Sequence, residues 1–247
     1  MEKPTEDKRF FGRRKGKPIK ESRQKLINEL LPKITLPAPN GKVFDLKSLF
    51  GIVPKEVWLE VGFGGGEHVA ELAKLYPDVG FIGAEPFING VASLLAHLNG
   101  THGKQAVNAE LEAGRNDNVR IWPDDIRPVF SSFPDAGFER IFILYPDPWP
   151  KARHAERRFV NQRNIPELAR MLSPTGEVYV ATDVAAYAEW AQEQMAESGL
   201  FTQVNKNTRI PPEDWIPTRY ELKGIAAGRQ PTYLVFQKKL GKKQNNS

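Results

Sequence analysis

Short apolar runs alternate with amphipathic stretches through most of the chain. Five runs have the length and composition of buried strands: 57–61, 80–84, 118–122, 138–144 and 177–182. Four stretches have their apolar residues at helical spacing: 67–75, 87–99, 156–172 and 184–198. Two more strands are predicted near 201–205 and 232–238. Strands that alternate with helices indicate an α/β fold with a mostly parallel sheet, which binds ligands beyond the carboxyl ends of its strands.

The two ends of the chain lack this alternation. Residues 1–25 are predicted to be a mobile basic arm, followed by a short helix over 25–33 and a turn at 37–41. Residues 241–247 are predicted to be a disordered basic tail. We therefore expect three parts: the arm with its helix at 1–33, one domain at 34–240, and the tail at 241–247.

Charge is distributed unevenly over the 247 residues, whose net charge is +5. Residues 1–33 carry +6, residues 151–163 carry +4 and the last ten residues carry +4, which leaves −9 for the rest. Basic segments on a mildly acidic body are typical of proteins that bind nucleic-acid phosphates. Solvated surface charge is the alternative, and it is preferred for the tail.

Several classes of protein are excluded or unsupported. The chain has no cysteine, which excludes disulfides, thiolate nucleophiles and Cys-based metal sites. Its four histidines lack H-E-x-x-H spacing, so no metal site is expected. The phosphate-binding loop of nucleotide hydrolases and the G-x-S-x-G turn of hydrolases are both missing. Without a long apolar run or a secretory signal, we expect a cytoplasmic protein with no membrane segment.

A glycine-rich turn follows the first predicted strand, in VWLEVGFGGGEH. Gly62 and Gly64 allow a tight turn and close approach of the backbone to a ligand. Glu85 ends the next strand, where a carboxylate can accept hydrogen bonds from two ribose hydroxyls. Glu67 replaces the third glycine of the dinucleotide fingerprint, and Glu60 adds a second carboxylate beside the turn. Carboxylates disfavour a pyrophosphate and favour a cofactor with an ammonium and a sulfonium group, as in S-adenosyl-L-methionine.

A third acidic site follows the third predicted strand, at Asp124 and Asp125. A carboxylate there can accept a hydrogen bond from the amino group of an adenine. The alternative is that one of the two caps a helix over 126–133.

The fourth predicted strand leads directly into FILYPDPWPKARHAERR. Asp147 stands at the carboxyl end of that strand, between prolines that stiffen the segment. Trp149 offers a face on which a base can stack. A basic cluster that includes Lys151 and Arg153 follows at once and is suited to backbone phosphates. These features together indicate a site that holds one nucleotide.

Asp183 repeats the pattern at the end of the fifth predicted strand, as a ligand contact, as the cap of the helix predicted over 184–198, or as both. The segment 217–221 lies among prolines and is predicted to be a loop that bends over the ligand edge, or an ordinary surface loop.

These motifs together resemble the bacterial tRNA (guanine-N7-)-methyltransferases of the TrmB family. The resemblance includes FFGRRKGKP, LEVGFGGGEH, IGAEP, PDPWPKARHAERR, ATD and PTRYELKG, and PDPWPKARH is its most specific part. It implies a Rossmann-like, class I methyltransferase sheet of seven strands that is mostly parallel, with the last strand antiparallel. It also implies a monomer or homodimer that methylates N7 of the variable-loop guanine at tRNA position 46, with S-adenosyl-L-methionine as cofactor.

The resemblance assigns roles to individual residues. It places cofactor contacts at Glu60, Glu85, Asp125 and Asp147, beside the turn glycines Gly62 and Gly64. It makes Asp147 the catalytic carboxylate. It places substrate contacts at Lys151, Asp183, Thr218, Arg219, Tyr220 and Glu221, and the basic cluster adds Arg153.

Three other interpretations remain open at the level of sequence. The first is an NAD(P)-dependent oxidoreductase on a similar sheet. The second is a non-catalytic tRNA-binding module. The third is a methyltransferase that acts on an exocyclic base nitrogen, since Asp-Pro-Trp-Pro is similar to the motif of those enzymes.

Overall fold

The computed structural model describes residues 11–101 and 117–240. Its seven strands form one sheet: β1 (Glu56–Val61), β2 (Val79–Ala84), β3 (Val119–Trp122), β4 (Phe138–Leu144), β5 (Leu172–Thr182), β6 (Phe201–Gln203) and β7 (Thr232–Lys238). Their order across the sheet is β3-β2-β1-β4-β5-β7-β6. Only β7 runs antiparallel to its neighbours. The predicted seven-stranded α/β sheet with a reversed last strand is confirmed.

The strand order places a ligand crevice at the carboxyl end of β1. From β1 the chain moves outward through β2 and β3, then returns to the other side of β1 with β4 and β5. Val61 lies beside Ala84 of β2 and Ile143 of β4 in register, and Ala84 lies beside Trp122 of β3. The residues that follow these positions therefore meet at one edge, at the topological switch point of the sheet.

Seven helices cover the two faces of the sheet within the described residues: α1 (Glu21–Glu29), α2 (Leu31–Ile34), α3 (Glu67–Leu75), α4 (Ile88–Leu98), α5 (Ile165–Met171), α6 (Ala185–Glu197) and α7 (Arg219–Ala226). Alternate strand residues enter two apolar clusters, one with Leu59 and Ile141, the other with Trp58 and Phe142. Period-two alternation explains the division, since successive side chains of a strand point to opposite faces. In the two described segments, no helix has both the length and the apolar character needed to cross a membrane.

The predicted helix over 156–172 is wrong in its first half. Helix α5 begins at Ile165, and Ala152–Arg157 is instead a short 3-10 helix. The side-chain oxygen of Asn161 accepts hydrogen bonds from the backbone N–H of Arg163 (2.9 Å) and Asn164 (3.0 Å), which closes a turn between them. Strand β5 then starts directly at Leu172, so the turn predicted at 173–176 lies inside that strand.

The predicted loop at 217–221 is wrong, because most of it begins helix α7. Thr218 is the N-cap, and its Oγ1 accepts a hydrogen bond from the N–H of Glu221 at 3.1 Å. Thr-x-x-Glu is the sequence signature of a capping box, so a local signal for this helix start was available.

The N-terminal segment is more ordered than predicted within residues 11–34. Helix α1 begins at Glu21 rather than at residue 25. Apolar side chains of this segment pack with those of α3 and α4: Leu26, Ile27, Leu30, Leu31 and Ile34. The predicted tail at 241–247, and residues 1–10 of the predicted arm, lie outside the described residues.

Candidate functional site

A cavity of about 410 Å³ opens at the carboxyl edge of the sheet. Residues that follow β1, β2, β3 and β4 line it, together with one residue of α7 and three of the N-terminal segment. The predicted site residues among its lining are Gly62, Gly64, Glu85, Asp125, Asp147 and Tyr220. The sheet thus brings together side chains that are up to 158 positions apart in the sequence.

The glycine turn forms the floor of this cavity. Gly62 and Gly64 have φ values of +70° and +57°, a region that glycine enters without a steric penalty. The N–H of Gly64 donates a hydrogen bond to Glu85 Oε2 at 2.7 Å. A Cβ at Gly90, in the first turn of α4, would overlap the carbonyl oxygen of Gly64. Helix α4 therefore packs against the turn at Gly90, and the turn orients Glu85 through the N–H of Gly64.

Glu85 is buried, and its surroundings shift its pKa. Each of its oxygens accepts one backbone N–H, that of Gly64 at 2.7 Å and that of Phe87 at 2.8 Å. Burial raises the pKa of Glu85 to about 7, the two N–H groups oppose this, and the nearby carboxylates of Asp147 and Glu60 add to it. A ligand that brings positive charge or hydroxyl donors to this carboxyl favours its ionised form.

Glu60 does not line the cavity, although the sequence pattern placed it there. Only 4% of the residue is exposed, and its Oε2 lies 2.6 Å from Nδ1 of the buried His68. The side chain lies on the same face of β1 as Trp58, where His68 packs against Phe142 and Trp215. In this structure Glu60 acts on the cavity through its charge on Glu85.

The two aspartates after β3 have different partners. Asp125 is 8% exposed, and both of its oxygens accept hydrogen bonds from the guanidinium of Arg127, the shortest at 2.6 Å. Its Oδ1 also accepts the N–H of Arg127, the first residue of a short 3-10 helix at Arg127–Ser132. The N-cap of that helix is Ile126, which forms no side-chain cap, so the predicted aspartate cap is wrong. Asp124 is more exposed and pairs with Arg14 of the N-terminal segment at 2.6 Å. Both aspartates line the cavity.

The segment 145–150, which we name the Asp147 loop, follows β4 and carries Asp147 and Trp149 to the cavity wall. Asp147 is exposed, and within the described residues its carboxylate takes part in no hydrogen bond or ion pair. Tyr145 and Trp149 have φ values of +50° and +41°, which are strained for aromatic residues. The hydroxyl oxygen of Tyr145 is buried without a hydrogen-bond partner, and burial raises its pKa.

The basic residues after the loop separate into two groups. Lys151 and Arg153 are exposed, and among the described residues neither forms an ion pair. Arg157 instead lies over the rings of Phe11 and Trp149, 4.4 and 5.2 Å from their centroids. Arg158 turns inward and donates hydrogen bonds to backbone carbonyls of the Asp147 loop. The sequence pattern assigns this whole basic run to phosphate binding, and the structure removes Arg158 from that role because its guanidinium donates to the loop backbone.

The N-terminal segment is a part of the site that sequence reasoning missed. Residues 11–13 line the cavity, and Phe11 packs edge-on against Trp149. Asn89 holds the segment at both of its amide atoms, accepting from Gly16 N–H and donating to the carbonyl of Lys17, each at 2.8 Å. The basic composition indicated a binding arm, but nothing local indicated that it would contact α4.

The predicted substrate residues of α7 and β5 are mostly engaged within the protein. Asp183 pairs with Arg229 at 2.6 Å. The N–H of Arg219 donates to Glu67 Oε1 at 2.6 Å. Glu67, which replaces the third glycine of the dinucleotide fingerprint, therefore has a structural role. Glu221 is buried and accepts hydrogen bonds from Trp215 and Tyr233. Tyr220 is the exception, since it is 43% exposed and lines the cavity.

The cavity fits a small cationic cofactor by its chemistry. Its volume of about 410 Å³ lies in the range of small-molecule sites. Three arginines line it as well, but Glu85 and Asp147 are lining carboxylates that form no ion pair within the described residues, and the open space beside Gly62 lets a ligand approach the backbone. Among the described residues, no group of three or more His, Asp or Glu side chains is placed to hold a metal ion.

Comparison with known proteins identifies relatives of the chain. A family model described as "Putative methyltransferase" matches residues 54–234. The chain is 42% identical over 244 residues to the tRNA (guanine-N(7)-)-methyltransferase of Rhodospirillum rubrum, covering 96% of this chain and 91% of that protein. It is also 42% identical to the protein of the same name from Paramagnetospirillum magneticum, over 95% of this chain and 94% of that protein. The solved structure of the 16S rRNA methyltransferase KamB matches with a TM-score of 0.51 at 14% identity, over 83% of this chain and 97% of that chain, which shows the fold alone.

Proposed function

This chain belongs to the tRNA (guanine-N7-)-methyltransferase family, and from that membership we propose that it methylates N7 of a tRNA guanine with S-adenosyl-L-methionine as the methyl donor. We propose further that the target is the variable-loop guanine at position 46. The observation that carries the proposal is that Glu85 and Asp147 face one cavity, with the aromatic ring of Trp149 in its wall.

The charge of the cavity selects the cofactor. S-adenosyl-L-methionine supplies a methyl group activated by a sulfonium cation, together with ribose hydroxyls and an ammonium group. We propose that Glu85 accepts hydrogen bonds from the ribose hydroxyls, and that Gly62 and Gly64 allow the cofactor to approach the backbone closely. Asp125 and Asp124 flank the far side of the cavity, where an adenine amino group finds an acceptor. A pyrophosphate beside the same carboxylates is disfavoured, which argues against a nicotinamide cofactor.

The target atom sets what the protein's residues must do. Guanine N7 carries a lone pair and no proton, so its methylation needs no general base at that atom. The residues therefore position the base and stabilise charge. We propose that Trp149 stacks on the base, and that Asp147 accepts a hydrogen bond from its N1–H or amino group and stabilises the positive charge that develops on it. An adenine has no N1–H and no amino group at C2, so the same contact selects guanine.

The basic and hydroxyl-bearing residues around the cavity are proposed to hold the tRNA. Lys151 and Arg153 are the proposed phosphate contacts, and Asp183 and the four residues from Thr218 to Glu221 remain proposed substrate contacts. Their present hydrogen bonds indicate that Thr218 and Glu221 contribute by placing Tyr220. Some local unstacking of the tRNA is needed for the base to enter the cavity.

One assay tests this function against its alternatives. Unmodified tRNA is incubated with the protein and labelled S-adenosyl-L-methionine, and the modified nucleoside is identified by mass and mapped. We expect 7-methylguanosine at position 46 and none in a tRNA with adenine there. An N-methylated exocyclic amino group, or RNA binding without methyl transfer, contradicts the proposal.

Affinity for S-adenosylhomocysteine is expected to rise with pH between about 6 and 8. The pKa of Glu85 is raised to about 7, so below that pH the carboxyl is mostly protonated and loses one acceptor oxygen for the ribose hydroxyls. Calorimetric titration at several pH values measures this. Glu85→Gln, which cannot ionise, should bind more weakly and lose the pH dependence, and a wild-type affinity that is flat over this range would refute the assignment.

Lys151→Ala and Arg153→Ala are each expected to weaken tRNA binding in a salt-dependent way. Each lost phosphate contact lowers the slope of log affinity against log salt by about 0.7 to 0.9. Filter binding at several salt concentrations measures the slope. Lys47→Ala is the control, since Lys47 is an exposed lysine of a short 3-10 helix that packs near the opposite edge of the sheet. An unchanged slope in the first two variants argues that their charges lie away from the RNA.

The remaining assignments are also proposals. We propose a cytoplasmic enzyme that acts as a monomer or a homodimer. We propose that residues 34–240 form the methyltransferase domain and that residues 1–33 supply a segment that contacts tRNA and cavity, with a basic tail at 241–247.

A further inference from the structure

Arg158 lies between the Asp147 loop and helix α6. Its Nε donates a hydrogen bond to the carbonyl of Pro148 at 3.0 Å, and its Nη2 donates one to the carbonyl of Trp149 at 3.1 Å. The guanidinium also lies over the ring of Trp190 on α6, with its carbon 4.7 Å from the ring centroid. Arg158 is therefore fixed on one side by α6 and holds the loop backbone on the other.

The conformation of this loop depends on a hydrogen-bond donor that lies outside the loop. Three of its six residues are proline, at 146, 148 and 150, and a proline has no N–H with which to close a turn. Tyr145 and Trp149 occupy the left-handed region, which aromatic residues leave unless their surroundings hold them there. One of the two carbonyls that Arg158 binds belongs to Pro148, directly after Asp147, and the other belongs to Trp149.

The support behind Arg158 is itself rigid. The Nε1 of Trp190 donates to the carbonyl of Val160 at 2.7 Å, which fixes the plane of the ring. The side-chain amide of Asn161 donates to the carbonyl of Arg158 at 2.6 Å, which fixes the backbone that bears the guanidinium. A planar guanidinium can serve two carbonyls and one ring face at once, and an ammonium cannot reproduce that geometry.

We propose that Arg158 is a positioning residue for methyl transfer, which holds Asp147 and Trp149 in their reactive places through the carbonyls of Pro148 and Trp149. The inference rests on the proposed function. It removes Arg158 from the phosphate-binding role that its place in the basic run suggested. The residue touches neither base nor cofactor, and it acts through the loop.

The test separates positioning from binding and from stability. Arg158→Lys keeps the charge and is expected to lower kcat about 30-fold with saturating tRNA and S-adenosyl-L-methionine, since small displacements of reacting groups reduce rates strongly. The KM for tRNA, its salt dependence and the affinity for S-adenosylhomocysteine should change less than threefold. Millimolar ethylguanidinium should restore part of the kcat of Arg158→Ala, because it can refill the site left by the side chain.

Arg170→Lys is the matched control. Arg170 also donates to two backbone carbonyls, those of Phe130 and Phe133 at 2.8 Å each, but it does not line the cavity. This variant should lower the melting temperature and leave kcat unchanged. A kcat loss of similar size in both lysine variants would mean that general destabilisation explains the effect, and it would overturn the inference.

A second readout follows the loop without using activity. The ¹⁹F resonance of 5-fluorotryptophan at position 149, assigned from Trp149→Phe, is expected to shift or broaden in Arg158→Lys and to stay unchanged in Arg170→Lys. A wild-type protein that forms no 7-methylguanosine overturns the proposed function. A wild-type protein that forms it, while Arg158→Lys keeps both kcat and the resonance, overturns the inference on Arg158 alone.

Discussion

Asp147→Ala is expected to lower kcat for methyl transfer by about 10²- to 10³-fold while leaving the fold intact. The carboxylate lines the cavity and forms no hydrogen bond within the described residues, so the folded protein loses no internal contact with it. Loss of one preorganised group that stabilises charge in a transition state costs a factor of this size. Single-turnover methylation of unmodified tRNA measures the effect. Affinity for S-adenosylhomocysteine should fall by no more than about tenfold.

Two further variants define the role of this carboxylate. Asp147→Asn keeps the shape and one acceptor oxygen but loses the charge, so a loss as large as that of alanine indicates electrostatic stabilisation. Asp45→Ala is the matched control, because Asp45 is an exposed aspartate beside the short 3-10 helix near the opposite edge of the sheet. Near-normal turnover by Asp147→Ala would remove the residue from the mechanism.

Gly90→Ala is expected to reduce the affinity for S-adenosylhomocysteine about 5- to 150-fold. Alanine normally stabilises a helix relative to glycine by up to about 1 kcal/mol. Here the added methyl would overlap the carbonyl oxygen of Gly64 and lie 3.2 Å from Cγ of Glu85. Relief requires the glycine turn or α4 to move, and such overpacking costs roughly 1 to 3 kcal/mol. Because the turn and Glu85 both line the cofactor cavity, their displacement is expected to lower the affinity for the cofactor.

The control for this variant is a second glycine that is also crowded but lies away from the cavity. A Cβ at Gly137 would lie 2.8 Å from the side chains of Leu46 and Pro134, near the start of β4. Gly137→Ala should lower the melting temperature without changing the affinity measured by calorimetry. If Gly90→Ala binds as tightly as the wild type, the turn is not held by α4 in the way proposed.

Much of the site could be predicted because its signals are local. Glycine at Gly62 and Gly64 follows from backbone conformations that other residues avoid, and Glu85 and Asp147 were found by their place directly after predicted strands. The capping sequence at Thr218 was an equally local signal for a helix, but the prolines before it favoured the loop that was predicted. The first half of the helix predicted over 156–172 was wrong for a related reason, because the side chain of Asn161 accepts backbone N–H groups that a continuous helix would use.

The roles of several charged residues could not be predicted. Glu60 is the next-to-last residue of β1 and Glu85 directly follows β2. Only the tertiary structure places His68 within 2.6 Å of Glu60 and turns that carboxylate away from the cavity. Arg158 and Arg153 are neighbours in one basic run, and the orientation of a short helix against α6 decides which of them faces the solvent. Asn89 and Gly16 are 73 positions apart, and no periodicity connects them.

The sequence by itself determined the α/β architecture, the glycine turn and the acidic ends of the strands, because strand alternation and turn conformation depend on residues a few positions apart. Only the tertiary structure decided which of those charged groups remain available to a ligand. That outcome depends on hydrogen-bond partners brought together across the sheet edge, since a carboxylate or guanidinium that finds a partner within the protein has fewer hydrogen-bonding positions left for a ligand.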